Sequence, residues 1–322
     1  ALNIHRSTVL QWRRGTDRPY FVRCMETATR TTLKEGWRLL PMKLDSGGNV
    51  PSDWMMVPER LVGESDVREV LEGIVPLPSN EALAVRFGVR DASSAEGKFE
   101  AFAYVLGIML GDAAKYGGVQ NRFTSMNLDL QLSKNRPSNL DLGDYAAMCV
   151  QTLGIHMHRN SDKMPTGATA RAMFPAPAYR WNSSRSPLIA WMFNVCLGLG
   201  TEELTSINPV NMEWILRMPK TFIKRFVQGV ADSDGTARPY VVEIASMPNA
   251  EFVTKLLSTL GMKTARTVYE KGAPMRTSVL NAEAASLPIF NEFAKSYRYR
   301  YLMGRASGML DRTERSGRTS TT

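Results

Sequence analysis

The stretch Tyr104-Val-Leu-Gly-Ile-Met-Leu-Gly-Asp112-Ala113 occurs twice in the chain. Its second copy is Phe226-Val-Gln-Gly-Val-Ala-Asp-Ser-Asp234-Gly235. The two align without a gap at an offset of 122 residues. Val105 matches Val227, Gly107 matches Gly229, Ile108 matches Val230, Gly111 matches Ser233, and Asp112 matches Asp234. Each copy reads as a short apolar helix with small residues four apart and an acid at its end. Small residues at i and i+4 share one helix face and let a second backbone come close. Helices packed through Gly107/Gly111 and Gly229/Ser233 would bring Asp112 and Asp234 side by side. A carboxylate at a helix C-terminus already faces the negative end of the dipole. A second one nearby adds roughly 3 kcal/mol of repulsion at an effective dielectric near 20. A divalent cation relieves that repulsion, and carboxylate oxygens favour hard ions such as Mg2+ or Ca2+, with Mn2+ as a substitute.

At these residues the chain resembles the LAGLIDADG homing endonucleases. The paired motifs read Val-Leu-Gly-Ile-Met-Leu-Gly-Asp-Ala and Val-Gln-Gly-Val-Ala-Asp-Ser-Asp-Gly. The resemblance covers roughly Phe99 to Met303. The first copy departs at Ala113, where the family has Gly, and at Leu110, where the second copy has Asp232. The resemblance implies an α+β fold of two pseudo-twofold-related αββαββα units, with the motif helices packed at the dyad. It implies that Asp112 and Asp234 are the catalytic acids. They would hold Mg2+ with Ala113 and Gly235 beside them, and cut the two strands of a DNA duplex.

The chain has 322 residues, enough for two or three modules and a sizeable core. Its formal charge of +9 favours a polyanionic partner such as nucleic acid. Cys24, Cys149 and Cys196 stand far apart and read as small buried hydrophobes, not as a disulfide frame or a zinc site. His156-Met-His158 would put two rings on one strand face, but no Cys or acid joins them. No apolar span reaches membrane length and no signal peptide is visible, so an intracellular protein without a membrane partner is expected.

Residues 1–30 resemble the later part of a helix-turn-helix. Ser7 or Thr8 would cap the recognition helix, Val9 and Trp12 form its apolar stripe, and Gly15 stops it. Arg13 and Arg14 would then face DNA. An ordinary amphipathic helix is the alternative. The chain begins without Met and without the motif's first helix, which suggests a piece of a longer protein. Residues 31–94 read as a linker or small packing module. It would hold strands at Trp37 to Leu44 and Trp54 to Val57 and a helix over Glu64 to Ile74.

The first repeat is placed at 95–213 and the second at 214–303. The first carries a strand over Met126 to Leu132, a helix over Leu142 to Leu153 stopped by Gly154, and strands near Ile155 to Arg159 and Ala168 to Trp181. An apolar helix over Pro187 to Leu197 closes it. The second carries a strand at Tyr240 to Ser246 and a helix over Ala250 to Leu260 stopped by Gly261. Strands at Thr264 to Tyr269 and Arg276 to Leu280 follow, and Leu287 opens a last helix. Thr152-Leu-Gly154-Ile155 and Thr259-Leu-Gly261-Met262 hold equivalent places, which supports duplication. Residues 304–322 read as a disordered basic tail.

Alternate residues on the paired strands would point at DNA and offer Arg or Lys to base edges and phosphates. Arg122, Lys134, Arg136, Arg159, Arg171 and Arg180 are candidates in the first repeat. Arg238, Lys263, Arg266, Lys271 and Arg276 are candidates in the second. Asp232 reads equally as a supporting acid or as a turn cap with Gly235. A monomer closed by its own internal symmetry is expected. A non-cleaving DNA-binding regulator and a binder of structured intron RNA are the alternatives on the same scaffold.

Overall fold

The computed structural model describes residues 34–41, 54–61, 63–77, 92–111, 113–116, 126–133, 138–160, 178–198, 212–238 and 240–286. Residues 1–30, 304–322 and the helix expected from Leu287 lie outside this set.

Two helices form the centre. Helix α2 spans Ala95–Leu110, counting α1 as the Glu64–Glu72 helix before it. Ser94 caps α2 by accepting from the Gly97 amide at 2.9 Å. From Ala101 to Leu110 every residue of α2 is buried. A helix apolar on all sides needs neighbours on all sides, and α2 has them. Helix α5 spans Lys220–Asp234 and runs along it.

Each central helix leads into a four-stranded antiparallel sheet. After α2 come β3 (Ala113–Tyr116), β4 (Asn127–Ser133), α3 (Ser138–Thr152), β5 (Met157–Arg159), β6 (Ala178–Ser183) and α4 (Pro187–Trp191). After α5 come β7 (Gly235–Ala237), β8 (Val241–Ile244), α6 (Ala250–Thr259), β9 (Arg266–Glu270), β10 (Ala273–Leu280) and α7 (Asn281–Ser286). The sheet orders are β3-β4-β6-β5 and β7-β8-β10-β9, the same path in both. The protein is thus α+β, with one sequence of elements run twice.

Glycines and alternation explain the local forms. Gly154 (φ 75) and Gly261 (φ 95) follow α3 and α6 in the left-handed region, where a helix stop needs no Cβ. Lys271 (φ 50) and Gly272 (φ 81) make the two-residue turn between β9 and β10, so the strands run closer to the turn than the expected ends at Tyr269 and Arg276. In β4 the leucines 128, 130 and 132 are buried, so Asn127, Asp129 and Gln131 lie on the other face. Helix α3 covers the leucine face. A Cβ on its Gly143 would meet the Trp181 indole at 2.2 Å, and Trp181 Nε1 donates to Asp144. Helix α6 covers the second sheet, where Thr254 bonds Thr267 and Thr277.

The segment before α2 joins the same core. Strands β1 (Trp37–Pro41) and β2 (Trp54–Pro58) pair antiparallel, and Val57, Val67 and Val70 are buried with α2. Trp191 Nε1 donates to the Pro58 carbonyl at 2.9 Å. Lys98 Nζ caps the end of α1 through the carbonyls of Leu71 and Ile74. Among the described residues no helix is long and apolar enough to cross a membrane.

Candidate active site

The helix pair is closest at its glycines. A Cβ on Gly107 would lie 2.2 Å from the Phe226 carbonyl oxygen, 2.9 Å from the Gly229 Cα and 2.9 Å from the Val230 nitrogen. A Cβ on Gly229 would lie 2.3 Å from the Tyr104 carbonyl oxygen, 3.0 Å from the Gly107 Cα and 2.9 Å from the Ile108 nitrogen. Each contact has its counterpart at the offset of the two motifs. One turn further on, a Cβ on Gly111 would meet the Ser233 Oγ at 1.9 Å and the Asp234 Oδ2 at 3.0 Å. Ser233 Oγ donates instead to its own helix, at the carbonyls of Gly229 and Val230.

The Asp234 carboxylate therefore stands against the C-terminal end of α2, beside the residue that precedes Asp112. Asp112 itself lies outside the described residues; Ala113 opens β3 and Gly235 opens β7. Asp234 is half-buried, and the Ala245 amide donates to its main-chain carbonyl at 3.0 Å. It lines an open cavity of about 570 Å3 with Thr236, Arg238, Glu243, Ala245 and Arg276. Among the described residues no three His, Cys, Asp or Glu side chains gather as a metal cluster.

Asp232 is not a turn cap. It is fully buried between the helices and accepts from the Tyr104 hydroxyl at 2.8 Å. Burial and then the negative charge of Asp232 push the Tyr104 phenol well above its usual range. Tyr145 meets the Tyr104 ring edge-on at 4.8 Å. At the other end of the pair, Arg225 on α5 bonds Glu100 on α2 at 2.7 Å.

The expected basic residues fall into groups. On the second sheet, Thr236 is paired with Glu243, and Glu243 with Ser278, so all three share the face away from α6. Arg266, opposite Ser278, and Arg276 lie there too, and Arg238 stands beyond Thr236 at the same parity. Glu243 holds two of these arginines, Arg238 Nε at 3.1 Å and Arg276 Nε at 3.2 Å. Glu270 also bonds Arg276. Lys263 and Lys271 are exposed in turns and not on the strands.

On the first sheet Arg180 lies on the open face, held by both oxygens of the fully buried Asp129. Arg159 does not join it. Its register partner is Trp181, which points toward α3, so Arg159 lies on the opposite side of the sheet from Arg180. Counting alternation from the ends of separate strands cannot give this, because the pairing register is a tertiary fact. Arg13, Arg14, Arg122, Lys134, Arg136 and Arg171 lie outside the described residues. Sequence reasoning passed over Asp129, Glu243 and the Tyr104–Asp232 bond. The one local signal was Asp129 between Leu128 and Leu130, an acid on the polar side of an alternating strand.

No family model matches the sequence, and no curated protein matches it. Among solved structures the chain is similar to I-DmoI in complex with DNA and Ca, at 15% identity over 58% of this chain and 87% of that one, TM-score 0.38. It is similar to I-DmoI in complex with DNA and Mn, at 14% identity over 58% and 92%, TM-score 0.38. It is also similar to mesophilic variants of the homing endonuclease I-DmoI, at 14% identity over 57% and 83%, TM-score 0.36.

Proposed function

We propose that the chain is a site-specific double-stranded DNA endonuclease that hydrolyses one phosphodiester bond on each strand, one with Asp112 and one with Asp234. The observation that carries this reading is the Asp234 carboxylate standing 3.0 Å from a Cβ built on Gly111, at the end of the reciprocal helix pair. A second acid there, which the motif offset makes Asp112, would repel it, with both carboxylates at helix C-termini. That arrangement costs stability and suits cation binding. The donors would be the two carboxylates with main-chain oxygens at Ala113 and Gly235, all hard oxygens suited to Mg2+, with Ca2+ or Mn2+ able to replace it. Such an ion supplies a water of lowered pKa and a counter-charge for the leaving 3′ oxygen.

The chain's own residues do the binding and orientation. The face carrying Thr236, Arg238, Arg266 and Arg276 would lie along the DNA, with the face of Arg180 and Asn182 as its counterpart on the first sheet. Arginines there suit phosphates and guanine edges. Residues 1–30 would add contacts outside this platform, and the two sheets in one chain make a monomer sufficient.

The test is selection from a randomised duplex library with Mg2+ and then with Ca2+. Cleaved duplex that depends on Mg2+ and disappears in Asp234→Asn and Asp112→Asn, with binding kept, supports the reading. Selected duplex binding with no product under Mg2+ would replace it by a non-cleaving regulator, and competition by structured RNA alone by an RNA binder.

A further inference from the structure

The helix pair is reciprocal in its backbone but not in its polar side chains. Tyr104 on α2 donates to Asp232 on α5 at 2.8 Å, and both are fully buried. Exchanging the two helices at the motif offset turns Tyr104 into Phe226 and Asp232 into Leu110. Both replacements are buried and apolar. The ion pair of Glu100 with Arg225 behaves alike, because its equivalent positions hold Phe222 and Ala103. Both of these cross-helix bonds thus exist on one side of the pair only.

We propose that these one-sided bonds make the central interface accept the opposite helix and refuse a second copy of itself, so that the chain closes on its own other half. Consider α2 on the α2 of another molecule. Tyr104 would face Leu110, and its hydroxyl would be buried without a partner. Consider α5 on α5. Asp232 would face Phe226, and Ser233 would face Ser233 where the real partner is Gly111. A Cβ at Gly111 would already come within 1.9 Å of the Ser233 Oγ, so that packing also fails on size. A buried polar group without a partner is costly, whereas one that finds its partner sets register and oligomeric state. The partner this surface fits is the other motif helix of the same chain.

The proposal is independent of cleavage, and its test reads mass and melting. Leu110→Asp with Asp232→Leu moves the carboxylate onto α2. In the closed chain the carboxylate then faces Phe226 and the Tyr104 hydroxyl faces leucine. Two α2 helices from separate chains would satisfy each other twice. Light scattering should show the double variant shifting from monomer to dimer, or its melting temperature should fall by at least about 5 °C. Adding Tyr104→Phe with Phe226→Tyr puts the whole bond back, on the other side. That quadruple variant should return to the monomer and to within about 2 °C of the original melting temperature. A double variant that stays monomeric with unchanged melting, or a quadruple variant that recovers neither property, overturns the proposal.

Discussion

Gly107 and Gly229 face each other across the helix pair so closely that a Cβ on either would come within 2.9 to 3.0 Å of the other's Cα. The nearest obstacles are backbone carbonyls at 2.2 and 2.3 Å, which belong to the opposing helix and cannot swing aside. Only a separation of the helices would make room. That separation would loosen the aromatic packing around α2, where Phe99 and Phe102 meet Phe222 at 4.9 and 6.3 Å.

Gly107→Ala should therefore destabilise the protein by about 3 kcal/mol or more, the upper range for forcing extra volume into a packed core. Gly261→Ala is the comparison. Its Cβ would enter open space, and only the left-handed φ of 95° opposes it. It should cost about 1 to 2 kcal/mol. Urea denaturation of both variants measures the difference; equal costs would mean that the helices do not meet through Gly107.

Arg180 should be worth more to folding than its exposure suggests. Its side chain is 46% accessible, but the carboxylate that it covers, Asp129, is completely buried. Arg180→Met would leave that carboxylate buried without its guanidinium partner. A loss of about 2 to 3 kcal/mol is expected, less than for a wholly buried pair because water reaches the arginine side. Asp129→Leu added to Arg180→Met should recover most of it. A double variant as unstable as the single one would show that the ion pair does not hold the strands.

Much of this arrangement is legible in the sequence alone. The duplicated motif fixes which helices meet, because small residues four apart have few uses other than close approach. Gly154 and Gly261 mark helix ends through a backbone need that composition alone reveals. The strand at Met126 to Leu132 announces itself by alternation. Register is not legible in this way. Arg159 and Arg180 look equivalent as strand arginines, and only the pairing of β5 with β6 puts them on opposite faces. The Asp129 partner of Arg180 and the Glu243 partner of Arg276 lie 51 and 33 residues away in sequence, so no local pattern discloses them. Asp232 resembles part of a turn because its neighbours are Ser233, Asp234 and Gly235. The deciding partner, Tyr104, is 128 residues upstream.

Glu243 should restrain nucleic-acid binding. It occupies Arg238 and Arg276, two cations of the face proposed to meet DNA, and a phosphate would have to displace it. Glu243→Gln should raise affinity for non-specific duplex. It should also steepen the slope of log K against log salt by about 1, because Arg238 is freed to neutralise a phosphate while Arg276 keeps its bond to Glu270. Glu213→Gln, at an exposed acid far from that face in sequence, removes the same charge and should leave the slope unchanged. Equal slopes in the two variants would show that Glu243 acts through net charge alone.

Alkaline pH should unfold the protein earlier than its overall charge implies. Burial pushes the Cys149 thiol from its ordinary 9.0 up to about 12, against a smaller opposite effect of the Tyr145 hydrogen bond. The Cys196 thiol is also pushed well up by burial, and the Tyr104 and Tyr145 phenols stand well above their ordinary 10.0. In each case the folded state keeps a proton that the unfolded chain releases. The stabilisation is fully present below pH 9 and is lost as pH climbs toward 12, at about 1.4 kcal/mol per pH unit for each such group. Between pH 9 and 10 the thiols act before the phenols. The urea midpoint should therefore begin to fall near pH 9, and Cys149→Ser should make that first decline shallower without removing the later one. A midpoint level from pH 8 to 10.5, or a decline that the serine variant leaves unaltered, would mean that the Cys149 thiol is reached by water in the folded protein.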